Sequence, residues 1–353
     1  MTTPENNSFE NQADKLIDSE FRYTLFPIFY GVVFVLGLLA NCCALYVLHY
    51  MRKDKAMKEI YIYMTNLTVA DLLFVSVLPF WIGYYAHNGD WKYSDALCRI
   101  AGSFFFSSTY SSILFLTAIS MTRYWAVTRS YRASSSDCRR RGVIVSAVIW
   151  VVTLVASVKY LTEPGIQINK IKNEDISRCF EGYQGVNNTS GLYAVGITYF
   201  IVIGLFFLVF TIVIVCNILI ARVLLSQTIS PDQASTGKSA GNFKHKALRL
   251  LCVILGVFVI CFLPHHVVQG PWTLSLLYLN DWSMETRQRL NDAHQITLML
   301  MGINCLLDPL VYCFATTKVR KFIQGHFPKV EKNKPCSRNT SEMSLKSRHQ
   351  SEL

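Results

Sequence analysis

The sequence predicts an all-α membrane protein, a seven-transmembrane helix bundle with a short amphipathic helix after the last span. Its 353 residues are 52% apolar and only 16% charged, whereas charged residues make up about a quarter of a soluble domain. The chain also contains apolar runs of about 20 residues or more, the length that a helix needs to cross a bilayer. These runs cover residues 25–49, 60–85, 97–127, 142–161, 192–225, 247–277 and 291–314.

The basic residues indicate the direction in which the chain crosses the membrane. Lys and Arg concentrate in one alternate set of connecting segments and after the last span, and such an excess marks the cytoplasmic side. Basic residues beside anionic lipid also account for the net charge of +11, so no nucleic-acid partner is needed. We expect an extracellular N-terminus over 1–24, the bundle over 25–314, an amphipathic membrane-surface helix over 315–328 and a cytosolic Ser- and Thr-rich tail over 329–353.

Of the eleven cysteines, Cys98 and Cys179 are the ones that fall in outward segments. Because that compartment permits disulfides, we expect these two to pair and to draw the long loop after the fourth span across the mouth of the bundle. Asn6, Asn187 and Asn188 begin Asn-x-Ser/Thr triplets on the same side. They are predicted glycosylation sites.

Two carboxylates are predicted to lie inside the bundle at similar depth. Asp71 belongs to the second span and Asp308 to the seventh, and a charged group at membrane depth is costly unless it has partners. Ser112 and Asn304 lie on the helix stripes that face these acids. We expect the four residues to enclose a sodium ion at Asp71 or to share a proton.

The third span carries a stripe of residues at steps of three and four that runs from Phe105 to Arg123. Residues at this spacing share one helix face. Arg123 could extend to lipid phosphate, but a stripe that faces other helices throughout favours an inward, functional Arg. Thr122 and Tyr124 flank it.

In the sixth span, Phe262, either His265 or His266, Gln269 and Trp272 fall on one face. Pro264 cannot donate to the carbonyl four residues back, so the helix should bend there. A bent helix with polar groups at membrane depth indicates a moving part of a binding site. The alternative is a Pro kink whose His side chains are satisfied by neighbouring helices.

Together these features resemble the rhodopsin-like G-protein-coupled receptors over residues 41–327. The resemblance implies a plasma-membrane receptor that signals through heterotrimeric G proteins and is bound at its tail by receptor kinases and arrestin. It also implies a switch built from Thr122, Arg123, Tyr124, Phe262, Pro264, Asp308, Pro309 and Tyr312. The motifs that carry it are Asn41, Leu67-Thr68-Val69-Ala70-Asp71, the interval from Cys98 to Arg123, Trp150, Cys179, Cys261-Phe262-Leu263-Pro264 and Asp308-Pro309-Leu310-Val311-Tyr312.

Within this family, residues 18–27, 261–269 and 291–295 are similar to one lipid receptor. That similarity implies a phosphocholine ether lipid as agonist, with G proteins of the Gq and Gi types, phospholipase C and calcium downstream. Phosphate needs hydrogen-bond donors, which His265, His266, Gln269, His294 and Gln295 can supply. A quaternary ammonium needs aromatic faces and a carboxylate, which Tyr23, Trp81, Tyr85, Phe105, Phe106 and Glu181 can supply. Trp272 would contact the alkyl chain, and Thr297 is the last of the predicted ligand-binding residues.

Several alternatives stay open. Trp81 and Tyr85 could form only an interfacial aromatic belt, and the ligand could be another lysolipid, a nucleotide or a peptide. A secondary transporter would also place acids at mid-membrane, although such proteins commonly show internal repeats, and none is found here. Thr122 stands where most family members have an acid, and Asn217 where most have Tyr. Neither a cofactor site nor a nucleophile with its base is recognisable, so no enzyme is predicted.

Overall fold

The computed structural model describes residues 18–51, 59–128, 135–171, 174–181, 189–226, 248–277 and 282–315. The predicted glycosylation sites Asn6, Asn187 and Asn188 lie outside these ranges, as do the tail and all but the first residue of the predicted surface helix. The backbone of Tyr312 is described, but its side chain is not.

Within these residues, seven helical segments are long and apolar enough to cross a membrane, which confirms the predicted fold. The first six are α1 (Arg22–Met51), α2 (Glu59–Ala86), α3 (Asp95–Thr128), α4 (Ser135–Thr162), α5 (Thr189–Ser226) and α6 (Leu248–Leu276). The seventh span, Met284–Val311, is built from α7 (Met284–Met301) and α8 (Asn304–Ala315). Between α4 and α5, β1 (Ile166–Ile171) pairs with β2 (Glu174–Cys179) as an antiparallel hairpin.

The bundle is arranged around α3. In the most apolar stretch of this span, 61% of the residues are buried inside the protein, against 17% for α5. Apolar side chains on α1, α4 and α5 remain largely exposed, as expected for helix faces that meet lipid instead of water. The third span is therefore the axis against which the other helices pack.

The predicted Cys98–Cys179 disulfide is confirmed, with the two Cα atoms 5.9 Å apart. It ties the end of β2 to the first turns of α3 and marks what we call the disulfide end of the bundle. The next residue, Phe180, has a positive φ of 55° and donates its N–H to the Gly165 carbonyl at 2.9 Å. Its ring covers Gly102, where a Cβ atom would lie 2.4 Å from the Phe180 ring. Only a glycine at position 102 of α3 permits this close approach of the Phe180 ring.

The bend of α6 is a π-helical turn over Phe258–Phe262, directly before Pro264. Within it the N–H of Leu263 donates to the Phe258 carbonyl, five residues back. Such wider turns often occur at functional sites in α-helices. The sequence predicted the bend at Pro264 itself. The structure distributes it over the preceding turn, because Pro264 cannot donate to Ile260.

The seventh span is broken at Gly302 and Ile303, not at Pro309. The N–H groups of Gly302 and Ile303 donate to carbonyls three residues back, Met299 and Leu300, at 3.0 Å each. This tighter bonding ends α7 and offsets α8 from it. Pro309 lies inside α8.

Pro309 nevertheless has a structural effect, because it leaves the Cys305 carbonyl without its helical donor. The Asn41 amide fills that role and donates to the Cys305 carbonyl at 2.8 Å and to the Gly37 carbonyl at 3.0 Å. Gly37 permits the close contact, since a Cβ there would lie 3.3 Å from the Cys305 sulfur. Asn41 therefore joins α1 to α8 by replacing a hydrogen bond that proline removes.

We predict that Asn41→Ala lowers the free energy of unfolding by about 1–3 kcal/mol, because two buried bonds are lost. In a Pro309→Ala background the same substitution should cost less, since residue 309 then has an N–H for the Cys305 carbonyl. Thermal unfolding of the purified single and double variants measures both effects. Equal losses of stability in the two backgrounds would contradict this account.

Candidate functional site

A cavity of about 330 Å³ opens beneath the β-hairpin at the disulfide end. Side chains from every span contribute to its wall. Its volume lies at the lower end of the range for small-molecule sites. Most of the predicted ligand residues line it: Trp81, Tyr85, Phe105, Phe106, Glu181, His265, Gln269, Trp272, His294 and Gln295.

His266 is one of the predicted residues that do not line the cavity. Neighbouring positions on a helix point about 100° apart, and the structure turns His265 inward and His266 toward α5. The His266 ring stacks on Phe206 with centroids 3.8 Å apart, and its Nδ1 atom lies 2.8 Å from the Phe262 carbonyl. The prediction that both imidazoles face the ligand is therefore corrected to His265 alone.

Tyr23 and Thr297 are also outside the cavity wall. The Tyr23 hydroxyl bonds to Asp18 at 2.6 Å and to Arg178 at 2.5 Å, so it is held behind these residues. Thr297 is buried, and its hydroxyl donates to the His294 carbonyl at 3.0 Å. Both residues support neighbours of the cavity and do not face it.

One face of the cavity is polar, and its groups lack partners. The His294 ring stacks on Trp272, with centroids 3.9 Å apart and planes 7° apart, and its centroid lies 5.0 Å from that of His265. A buried polar atom without a hydrogen bond costs free energy, so these groups suit a polar ligand. On this face, the buried side-chain atoms without a hydrogen-bond partner among the described residues are Nδ1 of His265, Oε1 of Gln269, Nδ1 of His294 and Oε1 of Gln295.

The opposite faces are aromatic. Trp81 stacks on Tyr85 with centroids 6.3 Å apart beside Phe105. On the α4 side, Tyr160 contacts Phe106 at 5.2 Å and Phe180 at 5.3 Å. The sequence indicated Phe180, which follows Cys179, as a residue over the cavity, but it did not indicate Tyr160 as a wall residue. Tyr160 lies at the end of an apolar span, where aromatic residues are common for reasons unrelated to ligands.

The mouth of the cavity is bordered by an ionic network, which we call the clasp, made of Asp18, Arg22, Tyr23, Arg178 and Glu181. Arg22 Nη1 lies 2.7 Å from Glu181 Oε1, and Arg22 Nη2 lies 2.8 Å from Asp18 Oδ1. Arg178 Nη2 lies 3.0 Å from the second Asp18 oxygen. Sequence reasoning missed Asp18 and both Arg residues. The Arg22–Glu181 and Asp18–Arg178 pairs, separated by about 160 positions, leave no local pattern, and the closely spaced Asp18 and Arg22 precede the first apolar run.

The clasp groups outside the spans keep their charges. Burial alone would raise the pKa of Asp18, but Arg22, the Tyr23 hydroxyl and Arg178 outweigh burial and hold the pKa below its ordinary 3.8. Burial alone would lower the pKa of Arg178, but Tyr84, Tyr23 and Asp18 raise it. The ion pair between Asp18 and Arg178 is therefore formed at neutral pH.

The predicted polar core is assembled deeper in the bundle. Asp71, Ser112, Asn304 and Asp308 are all buried, and the Ser112 hydroxyl lies 3.5 Å from Asp71 Oδ1. Asp308 interacts with Asp71 and with Asn304, but Oδ2 of Asp71 and both carboxylate oxygens of Asp308 make no hydrogen bond of normal geometry within the described residues. No group of three or more His, Cys, Asp or Glu in the described ranges is placed to hold a metal. A sodium ion would therefore also need the Ser112 and Asn304 oxygens.

At the opposite end of the bundle, Thr122 is connected to an acid through a tyrosine. The Tyr63 hydroxyl interacts with Thr122 and donates to Glu59 at 2.7 Å. Arg141 lies 3.4 Å from the second Glu59 oxygen. Sequence reasoning missed this network, which joins α2, α3 and α4 beside Arg123.

Two further predicted switch residues, Phe262 and Tyr124, pack against neighbouring apolar side chains. Phe262 is fully buried and makes an edge contact with Phe258 at 5.7 Å. Tyr124 packs against Leu224 and Leu251. These contacts of Tyr124 join α3 to α5 and α6. The three helices would have to separate if the end of the bundle opposite the disulfide opened.

The 7 transmembrane receptor (rhodopsin family) model matches residues 40–312. The platelet-activating factor receptor of Bos taurus is 43% identical over 96% of this chain and 94% of its own length. Its Homo sapiens counterpart is 42% identical over 92% of each chain. The Homo sapiens lysophosphatidic acid receptor 4 is 33% identical over 88% of this chain and 80% of its own length. The chain therefore belongs to the rhodopsin family of seven-transmembrane receptors and is a homologue of the platelet-activating factor receptors.

Proposed function

We propose that this receptor binds a phosphocholine ether lipid of the platelet-activating factor type at the cavity of the disulfide end. The observation that carries the proposal is the division of that cavity into an unpartnered polar face and aromatic faces. Such a division suits a headgroup with one anionic and one cationic part. The similarity to platelet-activating factor receptors over nearly the whole chain supports it.

The phosphate would bind at the polar face. His265 and His294 can each place an N–H on a phosphate oxygen, and the side-chain amides of Gln269 and Gln295 add further donors. Stacking on Trp272 fixes the His294 ring. Trp272 therefore supports the polar face, whereas the sequence assigned it to the alkyl chain. Apolar side chains of α5 at the cavity wall, Val195 and Val202, are better placed for that chain.

The trimethylammonium would bind the aromatic faces. Trp81, Tyr85 and Phe105 line the cavity, and an aromatic face attracts a cation within about 6 Å of its centroid. Glu181, the carboxylate predicted for this role, is already paired with Arg22 and hydrogen-bonded by Tyr84 at 2.7 Å. The ligand's cation must therefore share or take over an occupied carboxylate.

Signalling would begin at α6. A ligand bonded to His265 and Gln269 contacts the helix just beyond its π-turn, so it biases the position of the segment before that turn.

Members of this family are plasma-membrane receptors that couple to G proteins, not enzymes, which sets aside the transporter alternative. For this chain we propose an extracellular N-terminus, coupling to Gq and Gi types with calcium downstream, and receptor kinases and arrestin at the tail.

A second candidate ligand is a lysophospholipid with a terminal phosphate and no ammonium, as the similarity to a lysophosphatidic acid receptor suggests. The aromatic faces favour the phosphocholine lipid, because an uncharged or purely anionic headgroup gains nothing from them. Competition binding with both lipids distinguishes the two candidates.

We predict that Gln269→Leu weakens binding of the phosphocholine lipid roughly 5- to 150-fold, since one bond to phosphate is worth about 1–3 kcal/mol. The matched control is His266→Phe, which changes a polar residue three positions away but keeps the stack on Phe206. Equilibrium binding on membranes at equal receptor density measures both. Unchanged affinity of the Gln269 variant would refute the phosphate site.

We also predict measurable signalling without ligand, because Thr122 offers Arg123 a hydroxyl in place of a carboxylate. A charged partner is worth about 1 kcal/mol more than a neutral one, roughly a five-fold change in the ratio of closed to open states. Thr122→Asp should therefore lower basal nucleotide exchange on the G protein. Equal basal rates at equal surface expression would mean that other contacts hold the closed state, such as those of Glu59 and Tyr63.

A further inference from the structure

The place where a ligand's ammonium would bind beside Glu181 is occupied by a side chain of the receptor. The guanidinium carbon of Arg22 lies 5.8 Å from the Tyr85 ring centroid and 4.9 Å from that of Tyr23. Arg22 Nη1 is 2.7 Å from the Glu181 carboxylate. A positive group over aromatic faces and against a carboxylate is the arrangement expected of a bound quaternary ammonium. Arg22 therefore satisfies the cation site internally.

The charges of the clasp balance. Arg22 and Arg178 carry two positive charges, and Asp18 and Glu181 carry two negative charges, all within a network of contacts of 4.0 Å or less. An additional cation would gain little Coulombic attraction from this neutral group. It gains attraction only if Arg22 leaves Glu181, because the carboxylate then loses its closest positive partner and keeps only the Tyr84 hydroxyl at 2.7 Å and the more distant Arg178 at 4.0 Å.

Arg22 is poorly placed to bind the phosphate instead. Its Nη1 atom is bonded to Glu181 and its Nη2 atom to Asp18 and to the Tyr23 hydroxyl at 2.9 Å. Nε has no partner among the described residues, and one N–H of Nη1 is also left over, but a phosphate that accepted from them would lie next to two carboxylates. The contacts therefore favour exchange of cations over capture of an anion.

Arg22 also has a second partner that would keep it paired after displacement. Asp18 lies four residues earlier on the same segment, and the Gln288 amide holds the Asp18 carbonyl at 2.7 Å. If Arg22 turned away from Glu181, it could keep its bond to Asp18. Displacement then costs one ion pair and not two.

We propose that Arg22 is a built-in competitor for the ammonium subsite, and that the trimethylammonium of the ligand replaces its guanidinium on Glu181 and Tyr85. This proposal rests on the proposed phosphocholine ligand. It makes Arg22 a specificity-determining residue. Any headgroup that binds there must break the Arg22–Glu181 ion pair. Only a headgroup with its own cation restores a positive charge beside Glu181.

The test compares the phosphocholine ether lipid with its carbon isostere, in which a neutral 3,3-dimethylbutyl group replaces choline. The ratio of their affinities, measured by competition on the full-length receptor in membranes, isolates the contribution of the ammonium charge. Arg22→Gln should raise affinity for the phosphocholine lipid roughly 2- to 30-fold, the range of a cation–aromatic contact. Affinity for the isostere should change much less, so the ratio rises.

The matched control is Arg289→Gln, the same substitution at an exposed residue of α7 that pairs with Glu285. It removes one positive charge from a residue outside the cavity wall, so the ratio should stay as in the native receptor. Arg22→Lys keeps a charge and the fold but cannot make the forked bonds to two carboxylates. It should raise the ratio by a smaller factor, and it decides the question if Arg22→Gln does not reach the membrane.

A lower affinity of the Arg22 variants for both lipids by the same factor, or an unchanged ratio, would overturn the proposal and leave Arg22 as a structural or phosphate-binding residue. Glu181→Gln supplies an independent readout, because the ratio should fall when the carboxylate is lost. Failure of the proposed function would look different, since the native receptor would then bind neither lipid.

Discussion

No water is available in the hydrocarbon interior of a membrane, so every buried polar group must find its partner within the protein. The main irregularities of this bundle follow from that constraint. Proline removes a donor in α8, and the amide of Asn41 replaces it at the Cys305 carbonyl. Pro264 removes another donor in α6, and the wider turn just before this proline is closed by the Leu263 N–H. The helices bend where partners are lost and are joined where partners are supplied.

The same constraint makes the buried polar groups without partners candidates for contact with a ligand. His265, Gln269, His294 and Gln295 are buried, polar and unpartnered on one face of the cavity, in a protein that satisfies most of its other polar side chains. Such groups cost free energy that a ligand can recover. The clasp shows the opposite arrangement, since its charges are already paired. In the proposed function, the cavity would combine an anion site open to a ligand with a cation site that Arg22 itself fills.

The spans and the disulfide could be predicted because each depends on local signals: a run of apolar residues for a span, and cysteines between such runs for the disulfide. The choice between His265 and His266 could not, because periodicity alone leaves neighbouring positions ambiguous. The break of the seventh span at Gly302 could not be predicted either, because the proline of that span, Pro309, lies inside α8. The clasp and the Glu59–Tyr63–Thr122 network join residues remote in sequence, and only tertiary packing brings them together.

The π-turn at Phe258–Phe262 has a rotational consequence. It contains one residue more than a regular helical turn would, so every side chain beyond it sits about 100° behind its position on an uninterrupted α-helix. If that turn relaxed to α-helix, the distal part of α6 would rotate by one step. His265 would leave the cavity for the place against Phe206 that His266 now holds, and Pro264 would face inward. A ligand bonded to His265 therefore also fixes the winding of the helix.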